Sequence, residues 1–366
     1  MSAGTGAAPR PPPAPAAAAM PGTASASVGE PLLEVEGLVT RYPLRRSLRA
    51  ALARRPRQVV RAVDGVSFSL ARGEMLALVG ESGCGKTTTA QSVLRLVEPD
   101  AGAIRFRGRD VTGLPAGELR RLRRHMQLIY QDPYESLDPR FTVAQTVEEP
   151  LLVHRGAVGA RGRAERRELA AAALERAGLS PAGLYLERHP HELSGGQRQR
   201  VAIAASLVLE PDLLVADEPV SMLDVSVRAG VLALLDGLRR ERGLGILMIT
   251  HDLSTAASFA DRIAVMYLGR IVEQGPAREV IRRPGHPYTR ALLSAVPKRD
   301  PRARGRPQLL EGETPDPTVV PPGCRFHPRC PVAFDRCPTE DPAPRPVPGG
   351  RDHQAACLLV EEAGRR

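Results

Sequence analysis

Eight consecutive residues, Gly80-Glu81-Ser82-Gly83-Cys84-Gly85-Lys86-Thr87, have the composition of a phosphate cradle, with four residues between the first glycine and the Gly-Lys pair. Glycines let a backbone bend until its N–H groups converge on phosphate oxygens. A helix starting at that point adds the positive end of its dipole. In such a loop Lys86 reaches the β- and γ-phosphates, Thr87 ligates Mg²⁺, and Thr88 completes the nucleotide-binding set. An ordinary Gly-rich turn leaves the Lys-Thr pair unexplained. Cys84 lies inside the loop, where its backbone matters more than its thiol. Bulky thiol reagents attached there would block the site.

Two further groups carry chemistry. In LLVADEP (213–219) an apolar run ends in two acids. A buried strand delivers such acids to its carboxyl end, where ligands bind in sheets of this kind. Asp217 suits Mg²⁺ and Glu218 suits polarisation of an attacking water. The third group, Leu193-Ser194-Gly195-Gly196-Gln197, precedes a helical stretch. Alone it reads as an N-cap with two glycines that permit close approach to an anion. Its place between the other two groups gives it a share in the same chemistry.

The elements that position these residues follow from the apolar pattern. LLEVEGLVT alternates as a strand. VSFSL (66–70) and MLALVG (75–80) read as strands joined at Arg72-Gly73. MQLIY (126–130), LLVAD (213–217), ILMIT (246–250) and IAVMYLG (263–269) are short unbroken runs, as in strands buried on both faces. Helical patterns occupy 87–97, 168–178, 197–209 and 227–243. Strand–helix alternation predicts an α/β fold with a mainly parallel sheet. Residues 132–205, strand-poor, read as an inserted helical subdomain. Residues 1–31 are low-complexity and read as a disordered tail, and 41–61 as an arginine-rich loop. The nucleotide-binding domain spans 32–275. Residues 276–366, helical over 286–297 and then proline-rich, read as a separate, irregular C-terminal extension.

Composition narrows the function. The net charge is +10, almost all through arginine, so the surface attracts phosphates of any source. Aromatic residues are only 3% and Trp is absent, so platforms for stacking nucleic-acid bases are scarce. No apolar stretch approaches the roughly 20 residues of a spanning helix. The N-terminus lacks the apolar stretch of a signal peptide. A role at a membrane therefore requires docking onto something that spans it.

The three motifs, in this order, resemble the ABC ATPases, with LSGGQ as their signature. The rest of that family's pattern follows across about residues 32–297. Gln131 resembles the glutamine that touches Mg²⁺ and water. Ser221 through Asp224 resembles the D-loop, with Met222 where Ala is usual. His251 resembles the histidine on the γ-phosphate, and Tyr42 the aromatic that stacks on adenine. The resemblance implies a P-loop core with antiparallel β and helical subdomains. It implies ATP hydrolysis with Mg²⁺, with Glu218, His251 and Lys86 as the catalytic residues. It further implies head-to-tail dimers in which Ser194 and the signature contact ATP across the interface, and membrane subunits docking near Gln131.

QDPYESLDPRFTV (131–143), GHPYTRALLSAVP (285–297) and CRFHPRCPVAFDRC (324–337) look like the dipeptide and oligopeptide importer ATPases. That branch implies two transmembrane permeases, a second ATPase identical or homologous to this one, an extracytoplasmic peptide-binding protein, and a peripheral place on the cytoplasmic face of the cell membrane. Importers of nickel or other small solutes share parts of the pattern. A soluble ABC ATPase acting on nucleic acid is the reading the basic charge suggests, but the chain has one nucleotide domain and no coiled-coil insertion. Nucleic acid is not expected as a partner. Cys324, Cys330, Cys337 and Cys357 are spaced C-x5-C-x6-C-x19-C in a segment with little core of its own. Four thiols there suggest a metal site. The spacing departs from zinc knuckles, and a [4Fe-4S] cluster tolerates it, while His327 and His353 keep zinc open. Unmetallated packing is the other reading.

Overall fold

The computed structural model describes residues 30–44, 58–132, 136–155, 162–296, 312 and 315–364. The tail through residue 29, residues 45–57 of the arginine-rich stretch and residues 133–135 of the QDPYESLDPRFTV run lie outside the described residues.

Two sheets form the frame. The smaller is antiparallel, in the order β2-β1-β4-β5, from β1 (Leu33–Pro43), β2 (Val59–Leu70), β4 (Ala101–Phe106) and β5 (Arg109–Asp110). The register shifts between Val35 and Leu38 around Gly37, whose φ is +57°, so Leu38 returns to the buried face. The larger sheet begins with β3 (Met75–Val79), β6 (Met126–Ile129), β7 (Leu213–Asp217), β8 (Gly245–Thr250) and β9 (Arg262–Tyr267). These five pair in parallel in the order β9-β3-β8-β7-β6.

Every residue of β3, β7, β8 and β9 is buried, as the unbroken apolar runs require. Successive residues serve opposite faces. Met75, Ala77 and Val79 enter the core beneath the helices, while Leu76 and Leu78 meet the small sheet and α1 (Lys86–Val93). On the helical side lie α3 (Val143–Val153), α4 (Arg163–Arg176), α5 (Gly195–Leu207) and α6 (Val225–Arg242), after α2 (Ala116–Arg123) beside β6. Val147, Leu151, Ala170, Leu174, Val201 and Ala204 knit α3, α4 and α5 together. Among the described residues, 132–205 contains no strand.

One expectation changes. The helix expected over 87–97 stops at Val93, and the chain reverses through Arg95 at φ +50°. The C-terminal extension adds strands to the large sheet. α7 (Leu253–Phe259), β10 (Arg270–Pro276), α8 (Ala277–Arg282) and α9 (Pro287–Ala295) follow; residues 315–344 are irregular apart from a 3-10 turn at His327–Arg329, and the chain then returns as β11 (Arg345–Pro346), β12 (Gln354–Ala355) and α10 (Leu358–Ala363). β12 pairs antiparallel with β10, and β11 with β12, so the large sheet has eight strands. Two-residue strands leave no periodic signal; pairing partners alone define them.

Candidate nucleotide site

The 80–87 loop joins β3 to α1, and its glycines are fixed by neighbours. A Cβ on Gly80 would lie 2.2 Å from the Met266 carbonyl oxygen. Gly85 has φ +108°, and a Cβ there would lie 2.0 Å from the Ala62 oxygen. The Gly269 N–H donates to the Cys84 carbonyl at 2.8 Å, pinning the loop to the β9–β10 turn. Lys86 is buried, and its Nζ donates to the carbonyls of Gly80 (2.8 Å) and Glu81 (2.9 Å). Ser82 and Thr87 are exposed, while Thr88 is half-buried on α1.

Asp217 closes β7 beside this loop. Burial pushes its carboxyl above the usual range, and a hydrogen bond with Thr87 opposes that shift. Its Oδ1 is buried without a protein partner. A hard divalent cation takes oxygen donors of this kind, so the Thr87–Asp217 pair fits Mg²⁺.

Glu218 follows in the left-handed region at φ +46°, a conformation that strains a non-glycine residue. Its backbone is held on both sides: its N–H donates to Ile249 O at 3.0 Å, and the Ser221 hydroxyl donates to its carbonyl at 3.1 Å. The carboxylate is gripped as well. Gln131 Nε2, beyond β6, donates at 3.1 Å, and His251 Nδ1, beyond β8, lies 3.1 Å from the other oxygen. Three adjacent strand ends thus deliver an amide, a carboxylate and an imidazole to one point. Such a group can hold a water and take its proton.

The signature segment is placed differently. Ser194 caps α5, accepting from Gln197 N–H at 3.3 Å, while Gln197 Oε1 accepts from Ser194 N–H at 3.0 Å. Leu193 is buried beneath this turn; Gly195 opens the helix, and Gly196 lets it approach α6, since a Cβ there would lie 2.5 Å from Val227. Asp224 stands at the N-cap of α6 without a side-chain cap bond. Tyr42 on β1, paired with Val60 of β2, is more than a third exposed.

The ABC transporter family profile matches residues 63–221, and the oligopeptide/dipeptide transporter C-terminal region matches residues 272–337. A putative peptide import ATP-binding protein of Brucella ovis is 49% identical over 328 residues, spanning 90% of this chain and 98% of that protein. The dipeptide transport ATP-binding protein DppF of Escherichia coli K12 is 42% identical over 340 residues, 93% of this chain and 98% of that one. Among solved structures, a dimeric ATP-binding cassette bound to ADP and Pi aligns with TM-score 0.58 and 28% identity, covering 67% of this chain and 99% of that one. The chain belongs to the ABC transporter ATPases.

In this ABC ATPase two residues of the C-terminal extension touch the phosphate loop, and neither was among the sequence candidates. The Tyr288 hydroxyl accepts from Glu81 N–H at 2.9 Å. Arg329 donates to both Glu81 carboxylate oxygens, at 2.8 and 3.1 Å. The sequence signal was present in the HPY and HPRC runs, but nothing in them names Glu81 as the target.

The metal expectation for the extension gains no support from the structure. Among the described residues no three His, Cys, Asp or Glu side chains form a group able to hold a metal ion, so neither a [4Fe-4S] cluster nor zinc is assigned. All four cysteines are free thiols. Cys324 and Cys330 lie against the main core, Cys357 joins Val347, Ala355 and Val360 in a small satellite core, and the thiols of Cys330, Cys337 and Cys357 are near enough to act electrostatically on that of Cys324. Burial pushes the Cys324 thiol up to about 12 and raises Cys330 and Cys357, favouring the protonated forms. Cys324 N–H donates to Cys337 O, so backbone bonding already closes this loop.

Proposed function

We propose that this chain is the ATP-hydrolysing subunit that powers import of dipeptides or oligopeptides, docked on the cytoplasmic face of the cell membrane. The observation that carries hydrolysis is Glu218 held between Gln131 and His251 beside Lys86 and Asp217. The oligopeptide/dipeptide C-terminal region supports the substrate class.

Each residue then has a role. The N–H groups of residues 80–88 bind the phosphates, and Tyr42 stacks on the base. Lys86 turns its ammonium from the Gly80 and Glu81 carbonyls to phosphate. Thr87, Asp217 and Gln131 would hold Mg²⁺, which would supply charge neutralisation at the phosphates. Glu218 orients the attacking water and accepts its proton, and His251 steadies both the carboxylate and the γ-phosphate. Residues 193–197 serve the site of a second ATPase subunit, and the Ser221–Asp224 turn ties the two sites together. The catalytic domain covers 32–275, with 132–205 as its helical subdomain, and 276–366 as the extension. Partners are two permeases, a homologous or identical ATPase and an extracytoplasmic peptide-binding protein. No helix among the described residues is long and apolar enough to cross a membrane, so the permeases provide the pathway.

Glu218→Gln keeps the size and the Gln131 neighbourhood but removes the base. It is expected to bind ATP and lose hydrolysis by about 100-fold or more, read as phosphate release. Substantial turnover in that variant would take Glu218 out of this role. Purification of the tagged chain from mildly solubilised membranes should bring down two permeases and a peptide-binding protein.

A further inference from the structure

Two segments of the extension, far apart in sequence, converge on one residue of the phosphate loop. Tyr288 on α9 takes the backbone N–H of Glu81, and Arg329 takes its carboxylate through two nitrogens. The contact is sheltered. The Arg329 side chain is 7% exposed and that of Glu81 25%. An ion pair of two N–H···O bonds fixes direction as well as distance.

The clamp is itself held rigidly. The Arg329 guanidinium lies 6.0 Å above the Tyr267 ring. Tyr267 packs against Tyr288 at 4.7 Å and Phe326 at 5.3 Å, and all three rings are fully buried. Phe326 is three residues from Arg329, and Tyr267 ends β9 just after Met266, whose carbonyl stands where a Cβ on Gly80 would lie. Packed aromatic rings resist displacement, so Arg329 and Tyr288 move only with this cluster.

Glu81 is one step from the chemistry. Its carbonyl and that of Gly80 receive Lys86 Nζ. The backbone at 80–81 therefore sets where the ammonium points and how the loop enters its turn. We propose that the C-terminal extension fixes the phosphate loop for nucleotide, with Arg329 and Tyr288 as positioning residues that act through Glu81 on Lys86. This rests on the ATPase reading, and Lys86→Ala tests that reading separately by abolishing nucleotide binding.

The test uses the full-length chain, a fluorescent ATP analogue for affinity and phosphate release for KM and kcat. Arg329→Ala is expected to weaken binding and raise KM on the order of tenfold, with kcat moving less. Glu81→Gln, which spares the backbone bond to Tyr288, is expected to match it. The double variant should be no worse than either single, because both remove one interaction. Tyr288→Phe keeps the ring and loses the hydroxyl, and should weaken binding several-fold by itself. Arg336 pairs with Glu340 and Glu362 elsewhere in the extension, so Arg336→Ala should leave affinity unchanged. If Arg329→Ala fails to fold, Arg329→Lys and Tyr288→Phe decide the matter, since both keep the packing volume. Affinity equal to the unsubstituted chain in folded Arg329 and Tyr288 variants would overturn the proposal. So would additive losses in the double variant, or an equal loss in Arg336→Ala.

Discussion

Glu218 and Gly85 show how single residues are used at the nucleotide site. Glu218 adopts φ +46°, and its N–H, its carbonyl and both carboxylate oxygens all have partners. A strained residue persists where its surroundings over-determine it, and such residues gather where chemistry is done. Gly85 meets the same demand by having no side chain. Gly85→Ala must place a methyl 2.0 Å from a backbone oxygen while holding φ at +108°. It is expected to lower stability by roughly 2 kcal/mol or more and to abolish nucleotide binding, read by urea unfolding and analogue fluorescence. The residue types of this site were legible in the sequence because phosphate chemistry demands them at fixed spacing. The grip on Glu218 was not, because Gln131 and His251 come from strands whose adjacency is a fact of the sheet.

Helix α5 illustrates the next scale. Its N-terminus is a complete capping box, so Ser194 and Gln197 have a structural duty whatever else they do. Ser194→Ala is expected to cost about 1 kcal/mol of stability from the lost cap. If Ser194 also serves a second subunit's nucleotide, hydrolysis should fall on the order of tenfold or more in a variant that remains fully folded. A loss of stability with unchanged phosphate release would leave the residue as a cap alone. The buried parallel strands were readable as apolar runs, and α5 and α6 as helices, to within a few residues. Strands β4 and β10 escaped because their patterns are short or interrupted by charge, as with Arg105 in β4 and Glu273 in β10.

At the scale of the whole molecule, the extension closes onto the ATPase core around a fully buried polar knot. Glu273 accepts from Gly285 N–H at 2.6 Å and His286 N–H at 2.9 Å, and His353 Nε2 lies 2.7 Å away. His286 Nδ1 accepts from Tyr288 N–H at 3.0 Å, which requires a neutral ring. Burial pulls the His286 pKa down to about 4; Glu273 opposes this and Arg290 adds to it. A depressed pKa means that the unfolded chain takes up the proton first. Stability that is complete above pH 6.5 is therefore lost as pH falls towards about 4, by roughly 3 kcal/mol from this group. Urea midpoints between pH 7.5 and 4.5 should show that decline, and it should be reduced in His286→Asn. By itself the sequence determined the chemistry: the phosphate loop, the acidic strand end, the capping turn and the sheet that carries them. Each rests on local spacing or on runs of apolar residues. Only the tertiary structure decided that β12 and β11 extend the large sheet, that Cys357 joins Val347, Ala355 and Val360 in a satellite core, and that Arg329 and Tyr288 reach Glu81. Those outcomes depend on which distant segments meet, and contacts between residues 81 and 329 leave no trace in the local pattern of either.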